Sequence, residues 1–456
     1  MTKIQSFLLV GLTLILTTSC NKGGEDAEPI QEEISTPVST YSSTILNEYA
    51  GLQLELIKAT PGYEAPVAAR TMAYLALAAY ESAVPGISGK QSLAGQLEGF
   101  DNIPEIEKNQ EYNWPIAVNA SQHTLMKNLY GTTSDVNKTK MDDLKKKYED
   151  ALKVGVGTDA IERSIRFGAE MANAVWNYSK TDGGHLAYDN NYPLSNSLFN
   201  SVSSWKPTGD KNRPLLPKWG EVRSFVKANS SSIAPAAEPF SFDENSTFFA
   251  EAYDTYLTVN SLSTGQEEIM NFWEMPHLSA TQAGNQLALV ANLINKENYK
   301  LDKALELYLK TTFAMHDALV NSWKSKFTNN LMRPETYINQ AIDPNWSPNQ
   351  DALPAPDYTS EESSLVAAVA TILANEFGEV YTFEVTSQYD KSKKRAYKNF
   401  TNYVKEAEVA PIYAGIHYRM SAENGSKQGQ KIGNNILNIN LNNIPVTDST
   451  AVRMAF

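Results

Sequence analysis

From about residue 44 onward, apolar side chains recur at helical spacing along most of the chain. Proline and glycine interrupt the pattern, as at Pro85-Gly86 behind an alanine-rich run, and a serine such as Ser134 marks a helix start. Runs of alternating apolar and polar residues between hairpin turns are scarce, which predicts few strands. The pattern predicts helices over residues 65–83, 134–153, 158–180, 360–377, 387–407 and 423–440, and over most of 247–327 with breaks near Ser261 and Pro276.

Two stretches lack this periodicity and carry many prolines. Residues 181–245 and residues 334–358 are predicted to be long irregular loops, and loops of that length in a compact domain are often functional. The composition does not change enough along the body to divide it. We therefore predict an all-α fold in which residues 44–456 form a single large helical domain.

The amino terminus has the pattern of a secretory signal. Lys3 is followed by an apolar run over residues 7–16 and by small residues that end at Cys20, which is the only cysteine of the chain. This order resembles a bacterial lipoprotein signal, although Thr17 stands where leucine is usual. It predicts a signal peptide over residues 1–19, a lipid on Cys20, a flexible acidic tether over 20–43 and a location in the bacterial cell envelope. The alternative is an ordinary cleaved signal with an incidental cysteine.

Composition narrows the possible functions. The formal net charge of −13 argues against nucleic acid as a partner. A single cysteine excludes a disulfide framework, a cysteine-based zinc site and an iron–sulfur cluster. The five histidines are scattered and form no HExxH motif, so no metal site is predicted from the residues alone.

Three segments in the second half of the chain carry candidate chemistry. Lys326 and Arg333 form a Lys-x6-Arg-Pro sequence, and Ser360 begins a predicted helix after a proline-rich loop. His417 stands in or just before a short helix that precedes the last one. Their order and spacing resemble the vanadium-dependent haloperoxidase and type 2 phosphatidic acid phosphatase superfamily. The resemblance extends over about residues 44–440 and implies a large helical bundle.

In that superfamily the pocket binds phosphate or vanadate, so the resemblance implies a role for each matching residue. Lys326, Arg333 and Ser360 would bind the oxyanion. His417 would be the nucleophile of a phosphatase or the ligand through which vanadate is held. A phosphate-containing small molecule would be the substrate class, and the membrane would be reached through the lipid anchor alone.

Several positions depart from the superfamily motifs. Glu361 stands for a glycine and Glu362 for the acid–base histidine. Ala410-Pro411 replaces a serine–arginine pair, which removes one guanidinium and one backbone N–H. Ser421 replaces the aspartate expected four residues after His417, so we expect that histidine to lack its orienting carboxylate. A carboxylate about 4 Å from an oxyanion costs on the order of 4 kcal/mol at an effective dielectric of 20.

Two functions remain open on these residues. In the first, the protein is an active phosphatase or haloperoxidase relative in which Glu362 takes the acid–base role. In the second, which we favour, the pocket is degenerate and the scaffold is weakly active or non-catalytic, so phosphate and vanadate are disfavoured. Lys326 and Arg333 would then pair with the two glutamates, and His417 would be a half-buried structural histidine. The oligomeric state and the register near Ala410-Pro411 also stay open.

Overall fold

A computed structural model describes residues 34–189, 201–208, 213–274 and 279–443. Within these ranges the regular secondary structure is almost entirely helical, which confirms the all-α prediction. The helices are α1 (Thr44–Ala59), α2 (Ala65–Glu81), α3 (Trp114–Leu129), α4 (Asp135–Leu152), α5 (Thr158–Ser179), α6 (Thr247–Asn260), α7 (Thr264–Trp273), α8 (Thr281–Lys296), α9 (Leu301–Asn329), α10 (Pro334–Ala341), α11 (Glu361–Phe377), α12 (Phe400–Tyr413) and α13 (Arg419–Leu437).

Helix α9 lies at the centre of the bundle. Its side chains are buried along nearly the whole length, and it packs against α2, α11 and α13. A helix that is covered on every side anchors its neighbours by burying apolar surface. The carboxyl end of α9 therefore holds a fixed position against the amino end of α11.

Helices α11 and α13 cross very closely because glycines of α13 face the backbone of α11. A Cβ atom placed on Gly429 would lie 2.1 Å from the carbonyl oxygen of Ser364, and one on Gly425 would lie 2.6 Å from that of Ser360. Only glycine permits such an approach. The crossing fixes the first turn of α11 relative to the chain that precedes α13.

The body begins earlier than the sequence indicated. The sequence predicts a flexible tether over residues 20–43, but Val38 is fully buried and the N–H of Leu301 donates to the carbonyl of Tyr41. The tether prediction is therefore wrong for residues 34–43, because apolar contact and backbone pairing hold them to α9. The predicted signal peptide and Cys20 lie outside the described residues.

The predicted helix over 387–407 is wrong in its first half. Strands β1 (Phe383–Thr386) and β2 (Lys394–Tyr397) form an antiparallel hairpin, with Phe383 opposite Tyr397. The helix starts later, where the side chain of Asn399 accepts a hydrogen bond from the N–H of Asn402. Pairing across the hairpin outweighs the local helical spacing.

The two predicted loops are largely as expected. The described parts of 181–245 contain only short 3-10 turns between irregular segments. The second loop departs from the prediction, because Pro334 at the first helical position starts the short helix α10 before the chain becomes irregular. Among the described residues, no helix is both long and apolar enough to span a bilayer.

Candidate functional site

Four of the predicted site residues meet at the ends of different elements. Lys326 lies in the last turn of α9, Arg333 caps α10, Ser360 caps α11, and His417 lies in the loop between α12 and α13. All four side chains are almost completely buried. The fold thus brings together residues that are up to 91 positions apart in the sequence.

His417 has a carboxylate partner that the sequence did not reveal. Its Nδ1 lies 2.9 Å from Oδ1 of Asp357, and the hydroxyl of Ser421 donates to Oδ2 of the same aspartate. The expectation that His417 lacks an orienting carboxylate is therefore wrong. The only sequence signal was an acidic residue in the proline-rich loop three positions before Ser360.

Three oxygen atoms surround the Lys326 ammonium, two from hydrogen-bonded carbonyls and one from an ion pair. Its Nζ lies 3.1 Å from the carbonyl oxygen of Pro356, 3.1 Å from that of Asp357 and 2.8 Å from Oε2 of Glu361. Burial lowers the pKa of Lys326 to about 8, and the charge of Glu361 opposes that shift. Lys326 therefore serves mainly to hold the loop that precedes α11.

Arg333 is also bound mostly to main-chain oxygens. Its Nε lies 2.9 Å from the carbonyl oxygen of Ala355, and its Nη1 lies 2.7 Å from that of Ile416. A longer contact of 3.4 Å joins Nη2 to the carbonyl of Leu353. Nη1 also lies 3.0 Å from Nε2 of His417. The guanidinium clamps the loop before α11 to the loop before α13.

Glu361 places a carboxylate in the centre of the cluster. Its Oε2 lies 2.8 Å from Nζ of Lys326 and 3.4 Å from Nε2 of His417. Burial alone would raise the pKa of Glu361, but the charge of the adjacent Lys326 holds it well below its usual range. A charged oxygen thus lies between the lysine and Nε2 of the histidine ring.

Glu362 behaves differently from its neighbour. Its side chain is partly exposed and hydrogen-bonds Gln282. The hydrogen bonds of Arg333 go to the carbonyl oxygens and the histidine described above. Burial and the charge of Glu361 raise the pKa of Glu362 to about 8, so this side chain keeps its proton at neutral pH. The sequence predicts that Lys326 and Arg333 pair with Glu361 and Glu362. The structure shows one such ion pair, between Lys326 and Glu361.

The hydroxyl of Ser360 caps its own helix. Its Oγ accepts hydrogen bonds from the N–H of Ser363 at 3.3 Å and from the hydroxyl of Ser363 at 3.0 Å. Its backbone N–H donates to the carbonyl of Ser421 at 3.0 Å. Ser360 therefore joins α11 to the start of α13.

Arg419 does not replace the guanidinium missing at position 411. Pro411 is buried in the last turn of α12, and its carbonyl accepts from the N–H groups of Ile416 and His417. The nearby Arg419 pairs instead with Asp254, with Nε 3.0 Å from Oδ2, and both side chains are partly exposed. Within the described ranges, no group of three His, Cys, Asp or Glu side chains is arranged to hold a metal ion.

Comparison with known proteins agrees with this architecture. Residues 306–444 match the family model of the VCPO second helical-bundle domain. The fold is similar to a bacterial vanadium-dependent iodoperoxidase, with a TM-score of 0.78 and 27% identity over 87% of this chain and 96% of that one. The chain belongs to the vanadium haloperoxidase superfamily.

More distant members of the superfamily share the fold at lower identity. A holo-type bacterial vanadium-dependent chloroperoxidase has a TM-score of 0.64 at 15% identity, and covers 83% of this chain and 92% of that one. The apo-type structure gives 0.61 at 15% identity, over 81% and 93%. No curated protein sequence matches this chain.

The names of these structures describe vanadium-dependent enzymes, which makes vanadate the anion to consider for this pocket. Lys326 and Arg333 donate to internal oxygens, and Glu361 places a carboxylate between Lys326 and His417. The carboxylate of Glu361 would repel an anionic ligand there, and Lys326 and Arg333 already donate to other oxygens. Pro411 supplies neither a guanidinium nor an N–H.

Proposed function

We propose that this protein is a non-catalytic or weakly active member of the superfamily, with a degenerate oxyanion pocket. The observation that supports this most directly is the carboxylate of Glu361, which pairs with Lys326 and faces His417. In this proposal the cluster stabilises the junction of α9, α11 and α13 and does not bind a substrate. Phosphate and vanadate would be weak ligands of the pocket.

The charges of the cluster support this function. Lys326 and Arg333 contribute two positive charges. Asp357, next to His417, and Glu361, next to Lys326, contribute two negative ones. A dianionic phosphate would add charge to a buried group that is already neutral. Buried charge without a partner costs several kcal/mol, so such binding would be disfavoured unless Glu361 moved away.

An activity assay on the full-length protein tests the proposal. We expect hydrolysis of an aryl phosphate, and halide oxidation by peroxide with added vanadate, to stay at the level of His417→Ala. The variant measures background because it removes the imidazole that would attack phosphorus or hold vanadate. Turnover in the wild type that is clearly above this variant would contradict the proposal.

One observation favours the alternative of an active phosphatase. Asp357 orients His417, and Glu362 keeps a proton at neutral pH that it could transfer to a leaving alcohol. In that reaction His417 would attack phosphorus as the P–O bond breaks and Glu362 protonates the leaving oxygen. Glu362 would then accept a proton from the water that releases phosphate. Activity that falls in both His417→Ala and Glu362→Gln would establish it.

We further propose that the protein is a lipoprotein of the bacterial envelope anchored through Cys20. This rests on the apolar run and the small residues that end at the single cysteine. Incorporation of labelled fatty acid into the wild type, and its loss in Cys20→Ser, is the expected result. Labelling that persists in the variant would contradict it.

A further inference from the structure

The carboxylate that contacts His417 comes from a different part of the chain than the superfamily motif implies. Asp357 and His417 are 60 residues apart, and both side chains are buried to at least 99%. Ser421 occupies the position of the motif aspartate, four residues after the histidine, and donates its hydroxyl to the other oxygen of Asp357. The carboxylate that contacts the ring thus comes from the loop before α11, and Ser421 donates a hydrogen bond to it.

We infer that Asp357 is the positioning residue of His417 and replaces the carboxylate absent at position 421. An ionised carboxylate only accepts hydrogen bonds, so the ring nitrogen that faces Asp357, Nδ1, carries the proton. Nε2 then points toward Arg333 at 3.0 Å and Glu361 at 3.4 Å. The inference rests on the geometry of His417 and not on whether the protein turns over a substrate.

The backbone of Asp357 is itself fixed from two sides. Its N–H donates to the carbonyl of Leu331 at 2.9 Å, and its carbonyl accepts from Nζ of Lys326 at 3.1 Å. Lys326 therefore acts on His417 through the aspartate, as well as through Glu361. An outer partner of this kind sets both the tautomer and the orientation of a histidine ring.

Long-range ¹H–¹⁵N correlation of the imidazole rings in the full chain tests the inference. The His417 signal is assigned as the one missing from His417→Gln. In the wild type we expect a downfield, slowly exchanging proton bonded to Nδ1. It should be lost in Asp357→Ser and restored in the exchange variant Asp357→Ser/Ser421→Asp, which returns the carboxylate to the motif position.

If Asp357 had only a structural role, moving the carboxylate to position 421 would not restore that signal. The exchange variant therefore separates a role in positioning His417 from a purely structural one. Asp254→Asn, which removes an exposed carboxylate outside the cluster, is the matched control and should retain the proton. A downfield proton bonded to Nε2 in the wild type would overturn the inference without any variant. It would also be overturned if Asp357→Ser kept the Nδ1 proton, or if the folded exchange variant lacked it. Should Asp357→Ser fail to fold, the wild-type assignment and the exchange variant still decide the question.

Discussion

Two buried ionic clusters in this molecule contain similar residues but differ in how their charges are matched. In the first, Arg70 on α2 binds both oxygens of Asp182, at 2.6 and 3.1 Å. The hydroxyl of Tyr74 and the N–H of Gly184 also donate hydrogen bonds to the carboxylate of Asp182. One cation thus meets one carboxylate, and the adjacent guanidinium holds the pKa of Asp182 below its usual value in spite of burial.

The cluster around His417 has two cations that donate mainly to backbone carbonyls, and one of them, Lys326, also pairs with a carboxylate. Lys326 makes two of its three bonds to main-chain oxygens, and Arg333 makes most of its bonds to them. Without Glu361, the Lys326 ammonium would lack its ion-pair partner and could pair with an anion instead. The comparison teaches that burial and charge pairing alone do not identify a structural cluster. In the cluster around His417 the protein itself supplies a carboxylate, Glu361, that resembles an anionic ligand.

The largest effect is expected in the first cluster. Arg70→Met leaves Asp182 buried with two neutral donors, and loss of one partner of a buried ion pair costs about 3–5 kcal/mol. Urea unfolding at equilibrium would measure this loss. A change below about 1 kcal/mol, the range of exposed pairs, would mean that the pair is not buried in solution.

Glu361→Gly distinguishes the clusters. We expect it to lower the free energy of unfolding by about 2–4 kcal/mol, less than Arg70→Met because Lys326 keeps its two carbonyl acceptors. Phosphate should return part of this stability, since it can replace the carboxylate. Thermal unfolding with and without phosphate measures the effect.

Asp182→Gly is the matched control, because it removes a carboxylate from a cluster in which no anion is expected to bind. Its thermal unfolding should not respond to phosphate beyond the wild type. An equal phosphate response in both glycine variants would remove the distinction between the two clusters.

Glu362 should make stability depend on pH. Its pKa is near 8 in the folded state and 4.5 in its ordinary environment, so its contribution is present in full below pH 4.5 and is lost as pH rises toward 8. We expect a loss of about 1–2 kcal/mol between pH 5.5 and 7.5, discounted from the full linkage slope because the side chain is partly exposed. Urea unfolding of the wild type and Glu362→Gln at both values should show this loss in the wild type alone. Parallel pH profiles would contradict the assignment.

The smallest effect is expected at the surface next to the cluster. Arg419→Ala removes a partly exposed ion pair with Asp254, which is worth about 0.5 kcal/mol. The same urea titration should place this variant close to the wild type, with an unchanged response to phosphate. A loss comparable to that of Glu361→Gly would show that Arg419 takes part in the buried cluster.

The sequence was sufficient where local signals decide the structure. Ser134 and Ser360 mark the starts of α4 and α11 because their hydroxyls cap the first turn, and the motif spacing brought Lys326, Arg333 and His417 to one place. It was insufficient where the decisive contact is long-range. Asp357 lies in an irregular loop and has no local pattern that names a partner 60 residues away. The β1–β2 hairpin was missed for the same reason, since pairing between the strands defines it.

Equilibrium binding of orthovanadate and of phosphate to the full chain, by calorimetry, tests the central claim most directly. The wild type should show no saturable binding at millimolar anion, whereas Glu361→Gly should bind and the double variant Glu361→Gly/His417→Ala should bind more weakly. Saturable binding by the wild type that is lost in His417→Ala would contradict the account. It would mean that Glu361 does not occupy the anion position in solution.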